Sequence, residues 1–144
     1  LRVEADGTWT GSPVVLTSPR RATSAPAVAA CGAGWVVAWT DPEGIAVQVL
    51  DRAGAPLHSL SEKARPLGMG GAAPRLGLAC DRRGALIVWS EDGQPELRAL
   101  ALPHGETAPR RLRLAADDPP GSFAAVAVAS DGDGFLVARS GRRS

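Results

Sequence analysis

The sequence lacks the features that most directly identify a nucleic-acid-binding, membrane or catalytic protein. Its 144 residues carry 16 basic and 15 acidic side chains, and a net charge of +1 gives no reason to expect nucleic-acid binding. It has no run of about 18 apolar residues, so no transmembrane helix is expected. It has neither a GxSxG nor an HExxH motif, and His58 and His104 are widely separated. We therefore predict a non-enzyme with no catalytic residues and no cofactor.

The sequence also lacks helical periodicity and contains only two cysteines. No window shows a sustained helical apolar period between caps, and short strands separated by turn residues are expected instead. Cys31 and Cys80 stand alone, without a CxxC motif, which excludes a zinc site built on cysteine pairs. They lie in corresponding turn regions of neighbouring repeats. They form either a disulfide, if the protein is exported, or two small buried side chains. Equivalent positions of neighbouring repeats often lie too far apart for a disulfide, which favours the second interpretation.

What the sequence does contain is a stretch that returns at a fixed interval. GWVVAWTD, at residues 34–41, recurs as GALIVWSE at residues 84–91 and as GFLVARS at residues 134–140. A regular period in the range of about 20–50 residues indicates a solenoid, a propeller or another array. The continuous apolar run inside each copy predicts a strand that is buried on both faces.

Further strand patterns surround each copy of this stretch. Four short antiparallel strands in about 50 residues are typical of one blade of a β-propeller, and blades must stack because a lone blade cannot bury both faces. We therefore predict an all-β fold of four-stranded propeller blades, about three per chain, with a split first and last blade. The predicted segments are a partial blade at residues 1–18, complete blades at 26–60 and 74–114, and a partial blade at 123–140.

The strand count predicts an incomplete ring. The chain opens with an outer pair of predicted strands, residues 1–5 and 12–18, and closes with an inner pair within residues 123–140. Head plus tail would make a third blade, whereas closed propellers usually have about four to eight. Either two chains complete a six-bladed ring, with the tail of one chain pairing with the head of the other, or the chain is a piece of a longer propeller. The expected partner is another copy of the chain or another propeller chain.

Turn and strand residues of the two complete repeats form a characteristic pattern. They are Pro26, Gly34, Trp39, Asp41, Asp51, Gly54 and Pro56 in the first repeat, and Pro74, Gly84, Trp89 and Glu91 in the second. This pattern resembles the repeats of secreted β-propeller proteins from high-GC, myxobacterial-type bacteria. The third repeat departs from it, because Arg139 replaces the tryptophan and Ala124 the proline. The resemblance implies an extracytoplasmic scaffold and carries no catalytic residues across.

Three side chains are candidates for contact with a ligand or partner: Trp9, in the predicted turn GTWTG, together with Phe135 and Arg139. A carbohydrate-binding propeller lectin, with a glycan as partner, is the alternative to a protein-interaction module. No polar-aromatic set recurs between the repeats, which weakens that alternative. Trp39 and Trp89 occupy matching positions on the buried strand, and we expect them to pack in the core.

One acidic turn is a candidate for metal binding. Asp131 and Asp133 alternate with glycine, as carboxylates do in part of a calcium loop. A complete calcium loop needs more oxygen ligands, and the turns of the other repeats lack the second carboxylate. A glycine-rich hairpin turn without metal is therefore favoured, and no metal is predicted.

Overall fold

A computed structural model describes residues 2–3, 5–16, 26–41, 43–63, 76–91, 96–106, 108–114 and 123–141. Within these ranges the regular secondary structure is entirely β, which confirms the predicted all-β class. No helix in this part of the chain is long and apolar enough to span a membrane. The strands are β1 (Arg2–Val3), β2 (Trp9–Thr10), β3 (Ala27–Cys31), β4 (Gly34–Asp41), β5 (Gly44–Asp51), β6 (Pro56–Glu62), β7 (Leu76–Cys80), β8 (Gly84–Ser90), β9 (Leu97–Pro103), β10 (Arg110–Leu114), β11 (Phe123–Ser130) and β12 (Phe135–Gly141).

The strands form four antiparallel groups in chain order. Strands β1 and β2 make the N-terminal pair, and β11 and β12 make the C-terminal pair. The first sheet has the order β3-β4-β5-β6, and the second sheet has the order β7-β8-β9-β10. Each sheet is a simple meander, because consecutive strands of the chain lie side by side and antiparallel.

Aspartates at the ends of strands close three of the hairpins. The Oδ1 atoms of Asp41, Asp81 and Asp131 each accept hydrogen bonds from the backbone amides two and three residues further on, at 2.7–3.0 Å. An aspartate that caps its own turn in this way favours a turn over continued strand. The repeat therefore encodes its strand ends as well as its strands.

Strand β8 is buried along its whole length, as its apolar run predicts. Ala85, Ile87 and Trp89 belong to a core shared with the first sheet. Leu86 and Val88 belong to a second core shared with the C-terminal pair. Because successive side chains of a strand point to opposite faces, β8 is covered on both sides.

The N-terminal region differs from the prediction. Residues 12–16 form no strand, Val15 is 82% exposed, and residues 17–18 lie outside the described part. The partner of the first strand is instead β2, which contains Trp9, so the predicted placement of Trp9 in a turn was wrong. The reason is a tighter turn than expected: Asp6 Oδ1 accepts hydrogen bonds from the amide and hydroxyl of Thr8, at 2.9 and 2.7 Å, and the chain reverses before Trp9.

Candidate interaction surface

Strands β4, β8 and β12, the second strand of each repeat, follow one rule of orientation. Even-numbered residues face the sheet that follows in the chain: Val36 and Ala38 pack on the second sheet, and Leu86 and Val88 pack on the C-terminal pair. Odd-numbered residues face the sheet that precedes: Trp89 packs on the first sheet, and Val137 packs on the second. Positions separated by one repeat length are therefore structurally equivalent, and their exposures can be compared directly.

The face of the C-terminal pair that carries the even-numbered residues of β12 is exposed. Val36 is 2% exposed and Leu86 is 7% exposed, whereas the equivalent Leu136 is 72% exposed. Ala138 is exposed as well, although its equivalents Ala38 and Val88 are fully buried. An apolar face that two repeats bury and the third exposes is typical of an unpartnered interface.

At the other end of the array, the preceding face of the first sheet is exposed at Val28, although Trp39 on the same face is buried. Val28 on β3 is 63% exposed. Its equivalents in the second and third repeats, Leu78 and Val128, pack against the two cores. Both ends of the described array therefore expose apolar side chains at positions that are covered between its members. We name the exposed face at Leu136 the tail face, and the exposed face at Val28 the head face.

The outer edge of β12 is the third open feature. Strands β4 and β8 each pair with a neighbour on both sides, whereas β12 pairs only with β11 among the described strands. A Cβ atom on Gly34 would overlap the carbonyl oxygen of Leu50 on β5, and a Cβ on Gly84 would overlap that of Leu102 on β9. At Gly134 nothing lies within 4 Å of the same position. The third repeat keeps the glycine, but among the described strands β12 has no neighbour of the kind that makes glycine necessary in the other two.

The turn that contains Asp131 and Asp133 is occupied by protein contacts. Asp131 Oδ1 accepts its two backbone hydrogen bonds, and the carboxylate of Asp133 pairs with Arg82. The Arg82 Nε–H donates to Gly132 O at 3.3 Å, and the guanidinium of Arg83 donates to Asp133 O. These contacts join the turn of the second sheet to that of the C-terminal pair. Among the described residues no group of three or more histidine, cysteine or acidic side chains is placed to hold a metal.

The turn of the second sheet also contains a buried carboxylate with a shifted pKa. The side chain of Asp81 is fully buried. Burial by itself would raise the pKa of Asp81, but the amides of Arg83 and Gly84, aided by the Arg83 guanidinium, lower it below the ordinary value. Cys31 takes the place of this aspartate at the equivalent position of the first repeat.

Of the two interpretations of the cysteines, the structure shows the disulfide. Cys31 and Cys80 end the first strands of adjacent sheets, and their Cα atoms are 5.3 Å apart. The two positions are close because these first strands approach one another directly. The same crowding recurs at Gly77, where a Cβ would lie 2.6 Å from Val128 Cγ2. Small residues on the first strands allow neighbouring sheets to converge there.

The three candidate contact residues predicted from the sequence lie in different surroundings. Phe135 is half-buried against the core that the second sheet shares with the C-terminal pair. Arg139 is half-buried and pairs with Val126 across the strands, at the position equivalent to Trp39 and Trp89. Trp9 lies on β2, and its side chain is outside the described part.

Trp39 and Trp89 are too buried to stack on a ligand. Trp39 is 8% exposed and Trp89 is 4% exposed, so neither presents a free ring face to solvent.

Sequence reasoning missed the exposed residues Val28 and Leu136. Comparing every position with its equivalent in the next repeat would have singled both out as members of a core series placed at the ends of the array.

Comparison of the chain with family models, with curated proteins and with solved structures finds no match.

Proposed function

We propose that the protein is a non-catalytic β-propeller module whose sheets are blades, and that it completes a ring by joining a second copy of itself. The observation that carries the proposal is the exposure of Leu136, 72% against 2% and 7% at its equivalents Val36 and Leu86. Fully burying a leucine side chain contributes about 1.5–3 kcal/mol, so the tail face favours a covering sheet.

The occupant that fits best is the N-terminal half of another copy. The N-terminal pair precedes the first sheet in the chain, and β12 of the C-terminal pair has an unpaired edge among the described strands. Pairing the N-terminal pair of one copy with β12 of the other would complete a four-stranded blade. That blade would bring the tail face of one copy against the head face of the next.

Two copies joined twice in this way would contain six blades, within the usual range of about four to eight for a closed propeller. A head-to-tail contact that closes leaves no free edge for further growth. The disulfide fits an oxidising compartment, so the proposal includes an extracytoplasmic location. This is also what the resemblance to secreted bacterial propeller repeats implies.

Analytical ultracentrifugation of the full chain tests the assembly. We expect a dimer with twice the mass of one chain. Leu136→Asp should yield a folded monomer, because the charge would be buried in the tail-to-head contact. Leu57→Asp is the matched control: Leu57 is 62% exposed on the outermost strand β6, and its replacement should leave the dimer intact.

Gly134→Ala tests the edge of β12 separately. The new methyl group meets nothing within the single chain but would overlap the carbonyl of an incoming third strand, as it would at Gly34. We expect this variant to fold and to lose the dimer. A folded monomer of the unmodified chain, or a dimer that tolerates both Leu136→Asp and Gly134→Ala, would contradict the proposal.

The alternative function, a carbohydrate-binding propeller lectin, has less support. Stacking on sugar rings requires exposed aromatic faces, and Trp39 and Trp89 are buried. Binding of neutral glycans on a glycan array by the chain and by Leu136→Asp alike would favour this alternative.

A further inference from the structure

A cleft of about 620 Å³ opens between the first and second sheets, away from the tail and head faces. The end of β6 and the residue after it contribute Glu62 and Lys63. The second sheet contributes side chains from β8, β9 and β10, among them Trp89, Arg98 and Arg113. The cleft is therefore formed within one chain and does not depend on assembly.

Two arginines face each other across neighbouring strands in this cleft. Arg98 on β9 and Arg113 on β10 are directly opposite partners, and Trp89 on β8 is opposite Arg98 on its other side. Directly opposite residues of antiparallel strands have Cβ atoms about 4.5–5.5 Å apart, and like charges there repel. Neither arginine makes a salt bridge with another described residue, and Arg98 is half-buried. The sheet thus places two arginines side by side, and neither has a carboxylate partner among the described residues.

The carboxylates that line the cleft are already engaged. Glu62 is 13% exposed at its side chain and pairs with Arg111, with Oε1 2.7 Å from Nε. This hydrogen bond, together with the charge of Glu62, raises the pKa of Arg111. Glu91 Oε1 accepts the indole N–H of Trp89 at 3.3 Å. The cleft therefore carries four cationic side chains and two carboxylates, and within the described part of the chain the cations without a carboxylate partner are Lys63, Arg98 and Arg113.

We propose that this cleft binds a doubly charged oxyanion group, sulfate or phosphate, through Arg98 and Arg113. Guanidinium groups donate paired hydrogen bonds to such oxygens, and an anion between two arginines removes their mutual repulsion. The cleft is larger than an inorganic ion needs, which leaves room for a sulfate or phosphate ester of a small organic molecule. The experiment below distinguishes binding of the free ion from binding of an ester.

Isothermal titration calorimetry of the full chain at constant ionic strength tests this site. The probes are sodium sulfate, sodium phosphate, glucose 6-sulfate, glucose 6-phosphate and unmodified glucose. We expect sulfate or phosphate, free or esterified, to bind and glucose not to bind. Tighter binding of the esters would identify an organic carrier, and equal binding would identify the free ion.

Variants of single arginines locate the site. Arg98→Gln and Arg113→Gln should each weaken oxyanion binding by about tenfold or more, the usual effect of losing a charged hydrogen bond. Arg110→Gln is the matched control on the same strand, because Arg110 pairs with Glu106 instead of lining the cleft. It should leave the affinity within about twofold, a change too small for a lost charged hydrogen bond.

Thermal unfolding separates loss of binding from loss of folding. Without oxyanion, Arg98→Gln should unfold at the same temperature as the unmodified chain or higher, because a repulsion is removed. With sulfate or phosphate, only the unmodified chain and Arg110→Gln should gain stability. Absence of oxyanion binding, equal binding by all variants, or binding of glucose as tight as that of its esters would overturn the proposal. All variants are compared at one protein concentration, so any contribution of dimerisation to thermal unfolding is the same for each of them.

Discussion

At the scale of single residues, the repeat is enforced where the backbone leaves no alternative. Gly34 and Gly84 begin β4 and β8 because any side chain there would collide with the carbonyl of the third strand. Asp81 and Asp131 hold the turns just before the central strands by accepting backbone hydrogen bonds. These residues act through steric exclusion and turn capping, and neither effect requires a ligand.

The buried carboxylate of Asp81 makes stability depend on pH. Its pKa is lower in the folded chain than the ordinary value of 3.8, so ionised Asp81 stabilises the fold above about pH 4. That contribution is lost as the pH falls through the folded-state pKa. Asp81→Asn keeps an oxygen acceptor but removes the charge. We expect it to be less stable than the unmodified chain at pH 7, with the difference shrinking towards pH 2 in urea unfolding. A difference that is constant over this range would contradict the assignment.

At the scale of elements, the central strands of the sheets carry the packing, and their neighbours vary. Strand β8 is buried throughout, whereas β10 is almost wholly exposed along its polar, arginine-rich sequence. Adjacent sheets converge at their first strands, β3 and β7, where the disulfide crosses from one to the other. The covalent bond thus joins two elements that the sequence separates by 49 residues.

Removing this disulfide should destabilise the fold substantially. Closing a loop of 49 residues restricts the unfolded chain by about 4 kcal/mol in the loop-entropy treatment. We expect reduction by dithiothreitol to lower the free energy of unfolding by about this amount, measured by urea unfolding. The double variant Cys31→Ala/Cys80→Ala should show a similar loss and no further response to the reductant. A reduced chain as stable as the oxidised one would contradict the prediction.

At the scale of the whole molecule, the described array exposes core-type residues at both ends. Val28 at one end and Leu136 at the other are 63% and 72% exposed. Both belong to series whose other members pack between sheets. If a second copy covers these faces, stability must depend on how much protein is present.

The midpoint of thermal unfolding should therefore rise with protein concentration. Association stabilises the folded state by mass action, and a folded dimer is favoured as the concentration increases. Scanning calorimetry over a hundredfold range of concentration should show the midpoint rising for the unmodified chain and for Leu57→Asp, and staying constant for Leu136→Asp. A midpoint that does not change with concentration in the unmodified chain would count against the dimer.

The sequence by itself determined the all-β class, the length of the repeat and, to within one residue, the bounds of β4, β8 and β12. These follow from local chemistry: turn residues end the strands, and an apolar run that is buried on both faces leaves a continuous signature. The same local reasoning failed at residues 12–16, where a strand-like sequence is unpaired because the turn at Asp6 already directs Trp9 to β1. Strand propensity does not specify the partner, and the partner decides whether a strand forms.

Only the tertiary structure decided which residues meet across sheets. The disulfide, the opposition of Arg98 and Arg113, and the exposure of Leu136 all depend on how sheets and strands are placed beside one another. Spacing along the chain leaves these distances open, because a turn of one residue more or fewer changes the register and the face of every side chain that follows. The repeat therefore predicts equivalent positions, whereas the contact or solvent that surrounds each of them is set by its place in the array.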